Sequence, residues 1–156
     1  MTRSTTPAPV VRRTGEGEQR WFFGGGVFTW KLGAGDGDIS LIEVDMVEGK
    51  WTPVHTHPVS ESMWVLEGRI RYRIVDDEHA LGPGDFAMVP AGVPHAFVVT
   101  SPTAKVLGIQ PSCRCEPFYR GASEPLAGSA CVVDFHRIAA SAEQNGGIEI
   151  VGPPPF

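Results

Sequence analysis

The sequence has no apolar run near the roughly 20 residues that a membrane-spanning helix needs. It also lacks positive charge: a formal balance of −5 leaves no broad basic surface for a nucleic-acid backbone. Its three cysteines (Cys113, Cys115 and Cys131) cannot all pair within one chain and show no zinc-ribbon spacing. Packing thiols are the expectation, although the CRC run could also be a redox pair. Arg12 and Arg13 are followed by TGEGEQR rather than a hydrophobic run, so no leader is expected and the reducing cytoplasm is the expected compartment. No Ser/His/Asp set and no second carboxylate are evident, which argues against hydrolase chemistry by those routes.

Glycine and proline are plentiful, with 19 and 14 in 156 residues, enough to punctuate one domain into many short elements. Residues 1–18 are expected to form a flexible arm, 19–111 an all-β barrel, and 112–156 a loop, short helix and Pro-rich tail. VFTWKL should place Phe28, Trp30 and Leu32 on one side. DISLIEVDMV should place Ser40, Ile42, Val44 and Met46 together. RIRYRIV should turn Ile70, Tyr72 and Ile74 inward and Arg69, Arg71 and Arg73 to solvent. LEGRI has the pattern of a tight hairpin with Gly68 at positive φ. Asp134 is a plausible N-cap for a helix over 135–145 that stops at Gly146, and GIEIVG could add a strand.

The chemistry is concentrated in GKWTPVHTHPVSESMWVLEG. Side chains at i and i+2 of a strand share a face, so His55 and His57 can bind one ion, and Glu61 can join them if its strand runs beside theirs. His95, after the Pro90-Ala91-Gly92 turn, is the candidate fourth ligand. His79, in a polar run, and His136, in the helix, fit less well.

These residues carry a resemblance. The first stretch reads G-x5-H-x-H-x3-E-x6-G and GDFAMVPAGVPH reads G-x5-P-x-G-x2-H, separated by 15 residues between Gly68 and Gly84. Together they resemble the two motifs of the cupin family. The tail and whole-chain arrangement are similar to single-domain quercetin 2,3-dioxygenase-like cupins. The resemblance implies a double-stranded, jelly-roll-like β-barrel with a short C-terminal helix, commonly dimeric, with His55, His57, Glu61 and His95 as metal ligands at its mouth. The second motif usually ends H-x3-N, and this chain has Val99 there.

Three imidazoles and a carboxylate suit one divalent transition metal: iron, nickel, manganese, cobalt, copper or zinc. The resemblance further implies a dioxygenase for an enolisable aromatic, flavonol-like or polyketide-like small molecule. Dioxygen is then the candidate co-substrate and Glu61 both ligand and general base. Trp30, Met63, Tyr72, Phe97 and Val99 are candidate pocket residues, with Tyr72 a second choice for proton transfer. Few charges are expected in that pocket, which disfavours a sugar phosphate or small dicarboxylate. Two alternatives stay open: an oxygen-independent isomerase, cyclase or dehydratase using the metal as a Lewis acid, or a non-catalytic binding module.

Overall fold

The structure is a computed structural model that describes residues 8–156. In chain order it contains β1 (Glu18–Phe22), β2 (Gly26–Leu32), β3 (Ser40–Val47), β4 (Val54–Thr56), β5 (Glu61–Glu67), β6 (Ile70–Ile74) and β7 (Asp77–Leu81). There follow β8 (Phe86–Val89), β9 (His95–Val99), β10 (Thr103–Gln110), α1 (Glu116–Gly121), β11 (Ser123–Pro125), α2 (Phe135–Asn145) and β12 (Glu149–Gly152). One antiparallel sheet runs β11-β1-β2-β3-β10-β5-β8 and the other β12-β4-β9-β6-β7. The two form a double-stranded β-barrel with a short C-terminal helix.

Period-2 alternation builds the interior. Ser40, Ile42, Val44 and Met46 of β3 are buried, as are Ile70 and Tyr72 of β6 in the other sheet. Each large apolar side chain withdrawn from water in this way contributes about 1.5–3 kcal/mol. The arginines of β6 lie on the outer side, where Arg71 and Arg73 pair with Glu78 of β7. They form a solvated salt-bridge face.

Several local expectations are corrected. LEGRI is no hairpin: β5 and β6 lie in different sheets, and Gly68 turns the chain from one to the other at φ 74°. A Cβ at Gly68 would lie 2.1 Å from the Thr103 carbonyl oxygen, so only glycine fits. A bulge between Trp30 and Leu32 puts Leu32 opposite Leu41 while Trp30 faces Ile42, so Leu32 leaves the Phe28/Trp30 face. Met88 of β8 is 51% exposed, since it pairs with Ser62 on the outer face of β5.

Of the expected arm, residues 1–7 lie outside the described residues. Residues 8–17 run beside β2, where Lys31 Nζ donates to the carbonyls of Arg13 and Glu16 at 2.9 and 2.8 Å. Arg12 donates to Asp36 at 3.0 Å.

At the other end, Asp134 caps α2 by accepting from the amides of His136 and Arg137. The helix covers Phe135–Asn145 and leads into β12, which pairs with β4. The tail therefore returns to the strand that carries His55.

Candidate metal centre

β4 and β9 are antiparallel with His55 directly opposite His95, so both imidazoles share a face and their rings lie 4.3 Å apart. His57, two residues on, points the same way. Glu61 comes from a different direction: it opens β5, in the other sheet, and reaches across the barrel rather than along it. Its Oε2 lies 3.1 Å from His57 Nε2 and its Oε1 lies 3.6 Å from His95 Nε2. One candidate ligand atom from each of His55, His57, Glu61 and His95 lies within 4.8 Å of the others.

Backbone carbonyls settle the tautomers. His55 Nδ1 donates to Pro53 at 2.8 Å, His57 Nδ1 to Gly147 at 2.7 Å and His95 Nδ1 to Val93 at 2.9 Å. A carbonyl can only accept, so each Nδ1 carries a proton, and each ring when neutral presents the lone pair of its Nε2 inward. His95 Nε2 is buried and without a hydrogen-bond partner among the described residues. Such a set, with three oriented imidazoles and one carboxylate, fits a divalent transition metal.

In the metal-free cluster the neighbouring charges divide the histidines. Burial pushes the His55 imidazolium down to about 3, with His95 and His57 adding repulsion. Burial also works against His57, but Glu61 outweighs it and His57 ends above its ordinary range. Glu61 is held ionised, well below its usual range, because His57 and His95 more than offset its burial. A negative oxygen and inward-facing nitrogens in a dry setting attract a cation strongly.

Sequence reasoning missed two residues that hold Glu61. Gln110 Nε2 donates to Glu61 Oε2 at 3.1 Å, and Tyr119 OH donates to the same oxygen at 3.3 Å. Gln110 ends β10, one step beyond the Ile109–Ser62 pair, which brings it opposite Glu61. Tyr119 rides on α1, a helix of 6 residues whose only signal was a proline in its first turn. Burial and Glu61 both push the Tyr119 phenol well above its ordinary range, so it stays a proton donor.

The cluster opens on a cavity of about 430 Å³. Phe22, Phe28, Ile42, Met46, Met63 and Phe97 form much of its wall, and Phe135 and Ile138 of α2 lie over one side. Of the candidate pocket residues, Met63 and Phe97 line this cavity, whereas Trp30, Tyr72 and Val99 do not. Trp30 packs under the Arg120 guanidinium at 5.2 Å. Tyr72 lies edge-on to His95 at 5.9 Å, its hydroxyl buried without a partner among the described residues. Val99 is a core residue, 2% exposed. His79 is exposed on β7 and His136 on α2, both outside the cluster. All three cysteines are free.

Residues 42–108 match the cupin domain family Cupin_2. The chain is 33% identical over 96 residues to quercetin 2,3-dioxygenase of Bacillus subtilis (strain 168), a match covering 60% of this chain and 28% of that protein. It thus spans little more than a quarter of that relative's length. Among solved structures it resembles KdgF from Halomonas sp., with TM-score 0.60 and 18% identity over 67% of this chain and 94% of that one. It also resembles the DMSP lyase DddQ from Ruegeria pomeroyi DSS-3, with TM-score 0.52 and 19% identity over 70% and 78% of the two chains. At these identities the structural likeness is one of fold.

Proposed function

We propose that this chain, which carries a cupin domain at residues 42–108, is a mononuclear metal-dependent dioxygenase acting on an enolisable aromatic small molecule. The observation that carries this reading is the clustering of His95 with His55, His57 and Glu61, the last three of which line a largely apolar cavity. Similarity to a quercetin 2,3-dioxygenase supports the choice of reaction. His55, His57 and His95 would hold the metal through Nε2, and Glu61 through a carboxylate oxygen. A divalent metal bound there would acidify a neighbouring hydroxyl or enol and, if redox-active, open a path to dioxygen chemistry.

The chain's own residues do the rest. Glu61, ionised and anchored by Gln110 and Tyr119, is placed to take a proton from the substrate hydroxyl at a carboxylate oxygen. Tyr119 stays protonated and can return a proton to a developing oxyanion. Phe22, Phe28, Met63 and Phe97 offer flat apolar surface to an aromatic body and exclude water from the site. Trp64, Phe86 and Met88, exposed together on the outer face of β5 and β8, support a homodimer.

Oxygen uptake by the metal-loaded protein with quercetin, run with each candidate metal, tests the reading. Consumption of oxygen with loss of the flavonol absorbance supports it. Turnover of an enolisable substrate under argon moves the function to Lewis-acid isomerisation or elimination. Binding without any turnover makes the cavity a receptor site.

A further inference from the structure

Lys50 is the feature of the cavity that the proposed chemistry does not use. It follows Gly49 between β3 and β4, where a lysine would ordinarily be solvated, yet it is only 9% exposed. Its backbone is pinned at both ends: its amide donates to Val47 at 3.2 Å and its carbonyl accepts from Val99 at 2.8 Å. The side chain is thereby committed to the cavity, which it lines together with His55, His57 and Glu61. Nζ lies 5.6 Å from the centroid of Phe22 and 5.4 Å from that of Phe97. Among the described residues no carboxylate forms an ion pair with it. Gly24 packs against the same end of the side chain: a Cβ there would come within 3.3 Å of Nζ and 2.8 Å of the Phe22 ring.

A buried ammonium without a counter-ion is costly, and two aromatic faces offset that cost only in part, by about 0.5–2 kcal/mol. An anionic ligand would supply what the protein lacks. We propose that Lys50 is an anion-recognition residue and that the cavity takes an apolar, aromatic-bodied molecule bearing a carboxylate, held by Lys50 apart from the histidine cluster. This names the substrate class of the same cavity and rests on its being the substrate site. It also revises the low-charge pocket expected from sequence: the walls are apolar, but they contain one cation.

Binding of 2-naphthoate and of its neutral methyl ester tests the proposal, in the metal-loaded wild type and Lys50→Met and in His95→Ala, which lacks most of the metal. The wild type should bind the carboxylate at least about 10-fold more tightly than the ester. Lys50→Met should erase that preference with metal content unchanged, and His95→Ala should keep it. A preference that survives in Lys50→Met, or is absent from the wild type, overturns the proposal. A preference lost in His95→Ala but kept in Lys50→Met assigns the carboxylate to the metal, overturning the role of Lys50 while leaving the metal-centre reading intact.

A second measurement needs no variant. The chain has three lysines, Lys31, Lys50 and Lys105, so reductive methylation with 13C-formaldehyde gives few signals. One dimethyl-lysine resonance should move on adding naphthoate and stay fixed with the ester. If all lysine resonances stay fixed with naphthoate bound, the carboxylate is not at Lys50.

Discussion

The Nδ1 of His57 lies 2.7 Å from the carbonyl oxygen of Gly147, a residue 90 positions further along the chain. The C-terminal segment thus orients a candidate ligand of the first motif. Gly147 has φ 79°, and a Cβ there would meet Phe118 Cβ at 3.0 Å and Cys115 Cα at 3.1 Å. Gly147→Ala should displace the loop and release His57 from its partner. Loss of such an orienting contact typically costs about 10- to 100-fold in metal affinity. Metal titration of the purified variant checks this, and unchanged affinity would reduce the tail to a lid.

Glu61 Oε2 accepts from two side chains, Gln110 Nε2 and Tyr119 OH. Glu61→Gln keeps the size of the side chain but removes the charge and the proton acceptor. Turnover should fall by roughly 100-fold or more, a typical share for general acid–base catalysis, while metal content falls less. Equal loss of both would leave Glu61 as a ligand alone.

Burial pushes the Lys50 ammonium down to about 8, against about 10.5 for an ordinary lysine. Between those values the unfolded chain binds more protons than the folded one. Stability from this group therefore rises with pH across that window, and the full penalty is present below about 8. Lys50→Met should melt a few degrees above wild type at pH 7, with the gap closing toward pH 10. Thermal unfolding at the two pH values decides it; a variant melting below wild type at pH 7 contradicts the account.

The β6–β7 connection is a two-residue turn with Val75 at φ 56°, a conformation a β-branched residue adopts only with strain. Val75 is 56% exposed, so little packing is lost on replacing it. Val75→Gly should stabilise the protein by about 1 kcal/mol, read as a shift of the urea midpoint at constant slope. A midpoint that falls would show that the valine is packed rather than strained.

How much of this was legible beforehand follows from what side-chain patterns encode. His55, His57 and His95 stood out because strand parity forces i and i+2 to one face and because both motifs kept their spacing. The inward rows of β3 and β6 were legible for the same reason. Glu61 was expected along a neighbouring strand and instead reaches from the facing sheet, which local periodicity does not report. Leu32 went astray through a bulge in β2. Backbone carbonyls such as those of Pro53, Val93 and Gly147 leave no residue-type signature at all. Lys50 escaped notice because a lone lysine after a glycine ordinarily marks solvent, and only the three-dimensional closure of the barrel buries it.

The central claim is that His55, His57, Glu61 and His95 form one metal site, and titration of the chelator-treated protein with a divalent metal tests it most directly. Wild type should bind one equivalent per chain, and His57→Ala and His95→Ala should each lose most of that binding while keeping the circular dichroism of a folded β-protein. Full, tight occupancy in either variant, or no binding by the wild type to any of the six candidate metals, would contradict it.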